Sequence, residues 1–231
     1  MAFQPLVDAR ARRVIGHEAL VRGPAGEPAH SVLSRVDDGN RYLFDQAARR
    51  RAIELAAGLR APGLLSINFM PNAVYRPETC IRATLEAAAR TGFPTERIVF
   101  EVTEGERVAD RAHLVAIFRE YRRRGLLTAI DDFGAGWSGL DLLADFQPDI
   151  VKLDMALVRG IEGDRVRRAI VDSVARLCVS LGIRVLAEGV ETAAESAALL
   201  DLGLDLQQGY LFARPAFETL PAPDFEAAAV A

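Results

Sequence analysis

The sequence predicts an α/β fold of the (β/α)8, TIM-like barrel kind in which one early strand runs antiparallel. Three observations predict it. About eight short apolar runs alternate with amphipathic helical patterns, as in a parallel sheet covered by helices. The 231 residues suit eight such units and show no linker between them. The first two strands have no helix between them, so they pair as a hairpin and one opposes the rest. A doubly wound open sheet is the architectural alternative.

Taken in order, Phe3–Val7 is the first strand and Asp8–Arg13 a polar turn. Val14–Arg22 is the second strand and carries Glu18. Pro24–His30 is a Gly/Pro-rich loop. Phe44, Ala47, Ala48, Ala52, Leu55 and Leu59 recur at helical spacing, so Asn40–Arg60 is an amphipathic helix ended by Pro62-Gly63. Leu64–Phe69 is an apolar strand that finishes in Asn68. Pro77–Arg90 is a helix stopped at Gly92-Phe93-Pro94, and Arg97–Thr103 is a strand containing Glu101. Ala109–Arg124 is a helix with Leu114, Ile117, Phe118 and Tyr121 on one face and Gly125 as its stop. The apolar run Leu126, Leu127, Ala129, Ile130 is a buried strand that breaks off at Asp131-Asp132, before a glycine-rich turn. Asp149–Leu153 is a strand carrying Lys152. Val166, Ala169, Ile170, Ser173, Val174, Leu177, Cys178 and Leu181 make a helical stripe closed by Gly182. Ile183–Ala187 is a strand running into Glu188, Thr192–Leu202 a helix, and Leu204–Gln207 a last short strand. Residues 1–231 read as one domain, with the Ala/Pro-rich segment from Phe217 expected to be a loosely ordered end.

Half of the residues are hydrophobic and 26% are charged, which fits a globular protein with a sizeable core. The formal charge is 28 − 32 = −4, and no long basic cluster suggests DNA or RNA binding. Arg49–Arg51 and Arg122–Arg124 lie on helical patterns and read as solvated faces. Cys80 and Cys178 lie far apart in apolar helical patterns and read as reduced core residues, which points to the cytoplasm. No run of membrane-spanning length and no signal-peptide pattern is visible.

The strand ends carry the chemistry. They present Glu18, Asn68, Glu101, Asp131 with Asp132, Lys152 and Glu188, nearly all single polar groups in otherwise apolar strands. In a barrel these ends converge at the C-terminal mouth, where active sites of the fold lie. A buried carboxylate is costly unless paired or coordinated, and one lysine does not satisfy a ring of them. Carboxylates plus an amide favour Mg²⁺ or Mn²⁺ over Zn²⁺, and His17, His30 and His113 show no zinc spacing. So many acids suggest two ions bridged by an adjacent Asp, the arrangement used for phosphoester cleavage. Lys152 would hold the nucleophilic water or neutralise the developing phosphorane-like charge.

The ordered set of segments resembles the EAL-domain cyclic di-GMP phosphodiesterases. It comprises Glu18-Ala19-Leu20-Val21-Arg22, Ser66-Ile67-Asn68, Glu101-Val102-Thr103-Glu104, Asp131-Asp132-Phe133-Gly134, Lys152-Leu153-Asp154, Glu188-Gly189-Val190-Glu191 and Gln208-Gly209-Tyr210. The resemblance spans nearly the whole chain and implies a barrel whose first strand is the antiparallel one. It implies two Mg²⁺ or Mn²⁺ ions held by Glu18, Asn68, Glu101, Asp131 and Asp132, with Glu188 contributing directly or through water. Lys152 and Glu188 would flank the attacking water, with Gln208 close by. Leu20, Arg22 and Asp154 would touch the ligand, and Glu104 would anchor the loop after Asp132 through Ser138. The implied reaction is opening of cyclic di-GMP to linear pGpG, inhibited by Ca²⁺, in a homodimer. The chain departs from the family pattern at Ala135, Trp137 and Gly139 in the glycine-rich loop, and at Phe69-Met70-Pro71 after Asn68.

Two other functions fit parts of the pattern. One is a catalytically idle EAL module serving as a cyclic di-GMP receptor or protein-binding regulator. Such relatives generally lack several of the ligands, all of which are here. The other is a glycosidase with two strand-end carboxylates, which the Asp131-Asp132 pair, Asn68, Lys152 and the scarcity of aromatics oppose.

Overall fold

In the computed structural model, which describes residues 1–104, 110–136 and 139–229, the strands close into a barrel. The strands β1 (Ala2–Asp8) and β2 (Arg13–Leu20) form the opening hairpin. Then β3 (Leu64–Asn68), β4 (Ile98–Thr103), β5 (Leu127–Phe133), β6 (Ile150–Leu153), β7 (Arg184–Ala187) and β8 (Leu206–Gln207) follow as parallel neighbours of β2. Strand β1 closes the ring and is antiparallel to both β2 and β8, so the reversed first strand is found as expected.

Two apolar layers hold the barrel. Leu6, Val99, Ala129, Ile150 and Leu186 fill its interior. A larger cluster lies between the strands' outer faces and the helices. Side chains two residues apart on a strand share a face. Stepping two residues from each interior plug residue toward the mouth therefore gives Glu101, Asp131, Lys152 and Glu188. Because β1 runs the other way, the same step from Leu6 gives Gln4. The plug fixes which side of each strand faces inward, and so delivers every one of these polar groups to one chamber.

The outer layer is α1 (Ala29–Leu33), α2 (Arg41–Gly58), α3 (Pro77–Cys80), α4 (Arg82–Thr91), α5 (Arg111–Arg123), α6 (Gly139–Asp145), α7 (Met155–Val158), α8 (Arg165–Ser180) and α9 (Ala193–Asp201). The single helix expected over Pro77–Arg90 is divided at Ile81 into α3 and α4. The stripe on α8 is only partly a core face: Val171, Ala175 and Cys178 are buried, while Val166 and Ile170 are 60% and 44% exposed.

Arg49 overturns the reading of its cluster as a solvated face. Arg50 and Arg51 are exposed, but Arg49 is wholly buried, because Asp45 one turn earlier faces the core with it. The C-terminal segment touches the barrel over its described part. A short β9 (Ala216–Phe217) pairs with β1, Glu218 N–H donates to the Met1 carbonyl at 2.9 Å, and Phe225 packs on Phe212. Among the described residues no helix is long and apolar enough to cross a membrane.

Candidate active site

At the C-terminal mouth the chamber is built around Lys152. Its Nζ lies 2.8 Å from Glu188 Oε1, 3.0 Å from Glu101 Oε2, 3.1 Å from Asp131 Oδ1 and 3.6 Å from Glu18 Oε2. Lys152 and Glu101 are 2% and 0% exposed, so water screens these charges little. Asn68, exposed at the rim, donates through Nδ2 to Glu18 Oε1 at 3.0 Å and reaches Glu101 Oε1 at 3.5 Å. Gln208 Nε2 donates to Glu18 Oε2 at 2.7 Å and to Gln4 Oε1 at 3.0 Å.

Asp131 and Asp132 are neighbours on a strand, where alternation would send them to opposite faces. The structure avoids this with a bulge. Pairing of β5 with β6 slips between Ile130 and Phe133, and Asp132 takes a left-handed φ of 53°. Single oxygens of Asp131, Asp132 and Glu188 thereby lie within 4.8 Å of one another. A second such group is Glu18, Glu101 and Asp131, so Asp131 belongs to both.

With all five acids ionised, one ammonium leaves a formal charge of −5 + 1 = −4 in the chamber. The proton affinities reflect this. Burial, and then Glu18 and Asp131 against the opposing pull of Lys152, push Glu101 up to about 8. Burial and the charge of Asp131 push Asp132 up to about 6. Glu188 is raised well above the usual carboxylate range by burial, with Asp131 and Glu18 adding to it against Lys152. Burial opposes the Lys152 charge, yet Asp131, Glu101, Glu18 and Glu188 together hold its pKa well above the ordinary value.

Buried polar atoms without a well-aligned hydrogen bond also gather here, namely Glu101 Oε2, Lys152 Nζ and Gln208 Oε1. The surplus carboxylates, a shared Asp and the Asn68 amide oxygen are a donor set that fits hard divalent cations, with the Lys152 ammonium as a charge beside it.

The linkage has a definite sign. A carboxyl with a raised folded pKa binds its proton more tightly in the folded protein, so its contribution is complete below about 4.5 and is lost as pH rises through the folded value. Asp131, whose pKa is lowered despite burial by Lys152 and by hydrogen bonds, gives a contribution that is full above pH 4 and does not change over the same window. The melting temperature of EDTA-treated protein should therefore fall as pH rises from 5 to 8.5. Excess Mg²⁺ or Mn²⁺ should flatten the decline. Scanning fluorimetry across that range checks it, and a metal-free protein equally stable at both ends would contradict it.

Beside the ring is a hollow of about 230 Å³ lined by Gln4, Glu18, Asp132, Asp154, Glu188 and Gln208, among others. Asp154 caps α7 by accepting from Ala156 N–H at 2.8 Å. Leu20 lines a separate apolar hollow with Val21, Phe44, Phe69 and Asn68. Arg22 is turned back onto the Val21 carbonyl, 2.7 Å away. Glu104 Oε2 accepts from the N–H groups of Gly134 at 2.8 Å and Gly136 at 3.4 Å, so it grips the loop after Asp132. Its expected partner Ser138 lies outside the described residues. Gln4 is a member of the chamber that the sequence reading missed. The available signal was an amide directly opposite Glu18 across the hairpin.

Together, the closed barrel and the acid-lined C-terminal mouth define a (β/α)8-type protein with a candidate divalent-metal centre. The EAL domain family model matches residues 1–215, and the chain belongs to that family. It is similar to a standalone versatile EAL protein from Vibrio cholerae O395 in its c-di-GMP bound form. That structure matches with a TM-score of 0.94 and 55% identity over 98% of this chain and 96% of that one. It is 31% identical to the blue light- and temperature-regulated antirepressor BluF of Escherichia coli, covering 96% of this chain and 55% of the relative. It is 32% identical to the cyclic di-GMP phosphodiesterase RocR of Pseudomonas aeruginosa, covering 92% of this chain and 56% of the relative. The chain thus spans about half the length of these two curated relatives.

Proposed function

We propose that this chain hydrolyses cyclic di-GMP to linear pGpG. The observation that carries the reading is the buried ammonium of Lys152 facing four carboxylates at the barrel mouth. Glu18, Asn68, Glu101 and Asp131 would hold one Mg²⁺ or Mn²⁺ ion, and Asp131, Asp132 and Glu188 a second. When bound, such ions supply a hydroxide-like nucleophile at neutral pH and positive charge for the phosphate.

The chain's own groups do the rest. Lys152 orients the attacking water and offsets negative charge developing on phosphorus-bound oxygen. Glu188, on the open side of Lys152, takes the water's proton. Gln208 fixes Glu18 by donating to Oε2, and Gln4 fixes Gln208. Glu104 holds the loop that keeps Asp132 in its bulge. Leu20, Arg22 and Asp154 surround the bound dinucleotide, and Arg22 swings from the Val21 carbonyl to a ligand phosphate. One water is consumed, one P–O ester bond breaks, and the leaving ribose oxygen takes up a proton.

A homodimer accompanies this reading. An apolar hollow of about 380 Å³ lies among Phe133, Gly134, Leu140, Leu157, Ile170 and Val174, next to the exposed face of α8. The free thiols of Cys80 and Cys178 agree with a cytoplasmic site of action.

The test is chromatographic. Purified protein, its mass checked by light scattering, is incubated with cyclic di-GMP and Mg²⁺ or Mn²⁺, with and without excess Ca²⁺. Product pGpG should appear with either ion. Ca²⁺ should suppress it, because a larger ion with looser coordination spoils a tightly spaced pair. Binding of cyclic di-GMP without product in either metal would instead establish a receptor, the reading that similarity to the antirepressor BluF favours.

A further inference from the structure

Outside the chamber, the most unusual group in the molecule is the Arg49 guanidinium. It is 0% exposed and its partner Asp45 is 2% exposed. Arg49 Nη2 lies 2.7 Å from Asp45 Oδ2, and Nη1 donates to the Tyr121 hydroxyl at 2.7 Å. The guanidinium carbon sits 4.7, 5.2 and 5.7 Å from the ring centres of Phe100, Phe69 and Tyr121. Burying an ion pair is expensive, and well-packed apolar side chains of similar volume generally serve stability as well or better. Cohesion alone therefore does not account for it.

What a charged pair offers, and an apolar pair does not, is direction. Asp45 Oδ1 accepts the Met70 backbone N–H at 3.0 Å. The Phe69 ring lies against the guanidinium and is wedged by Phe100, Phe118 and Tyr121. The chain is thus pinned at the two residues that follow Asn68. Asn68 is the last residue of β3, exposed and paired with Glu101, so what holds the chain just beyond it bears on where its amide points.

We infer that the buried Asp45–Arg49 pair is a positioning device for Asn68. By clamping Phe69 and Met70 it directs the Asn68 amide onto Glu18 and Glu101, and so sets the affinity of the acid ring for a divalent ion. The inference rests on the reading of Asn68 as a metal ligand. Partners that orient a ligand typically alter affinity by about 10–100-fold when removed.

The experiment measures Mn²⁺ affinity by electron paramagnetic resonance on substrate-free protein. The double variant Asp45→Leu/Arg49→Met removes the pair without leaving a lone charge. It leaves the Met70 N–H and the Tyr121 hydroxyl without these partners, so it should melt somewhat below the wild type in EDTA, while binding Mn²⁺ about 10-fold more weakly or worse. Asn68→Ala should weaken Mn²⁺ in the wild-type background and add less than about two-fold in the double variant, since the same ligand is already lost. Wild-type affinity in the double variant, or losses that multiply, would overturn the inference while leaving the metal site intact. An unchanged affinity for Asn68→Ala alone would remove Asn68 from the ligand set and overturn both. Should the double variant not fold, Asp45→Asn serves. It keeps an oxygen for Met70 but loses the charge-assisted bonds, and should show a smaller loss with the same dependence on Asn68. No loss would again overturn the inference.

Discussion

Lys152→Ala should abolish turnover of cyclic di-GMP, lowering kcat by about 100-fold or more while some ligand binding survives. The magnitude is that of removing a group which handles or orients the proton of the attacking water. A second consequence follows from the charges. Without the ammonium, Glu18, Glu101, Asp131 and Glu188 face one another with no counter-charge in a buried chamber. Breaking a buried pair by removing one partner costs about 3–5 kcal/mol. The EDTA-treated variant should therefore melt well below the wild type. Divalent metal should close most of that gap, because cations occupy the same charge deficit. Restored stability with lost turnover separates a chemical role from a structural one. Turnover at a double-digit percentage of wild type would remove Lys152 from the reaction.

The layout of the chamber was legible because its charges stand out against apolar strands. Glu101 between Phe100 and Val102, and Lys152 between Val151 and Leu153, have no reason to be inside unless they meet each other. Less visible were features set by distant partners. The bulge at Asp131-Asp132 depends on a slip against β6, which no local pattern encodes. Gln4 carries no charge and sits in a short run whose inward face is reversed, since β1 opposes its neighbours. Arg49 was hidden among arginines that do face solvent. An i,i+4 acid on the core side of α2 was the clue, yet a helical wheel weighted by hydrophobicity sorts Asp45 and Arg49 outward. The C-terminal segment reads as loose by composition; in its described part β9 pairs with β1 and Phe225 lies against Phe212.

Asp132→Gly should destroy activity while leaving the metal-free protein at least as stable as the wild type. Asp visits the left-handed region more readily than most residues, so φ 53° costs it only the lower end of about 1–3 kcal/mol, and glycine enters it freely. Replacement also removes a carboxylate that burial and Asp131 already disfavour, as its pKa of about 6 records. Against these gains stands the extra backbone freedom of glycine when unfolded, about 0.5–1 kcal/mol. These backbone terms roughly cancel, and removing the carboxylate that burial and Asp131 disfavour leaves the variant at least as stable as the wild type in EDTA. The order reverses in Mg²⁺ or Mn²⁺, where the wild type gains stability from the ion and the variant, short of a ligand, gains less. Asn at this position tolerates the same backbone and should retain stability, but as a neutral amide it should not restore turnover. Melting curves with and without metal, beside turnover for both variants, decide the matter. If Asp132→Gly melts several degrees below wild type in EDTA, the strained bulge is not a stability cost borne for the site. In that case the Asp132 side chain also supports the fold, and only the turnover of the two variants reports on its place in the site.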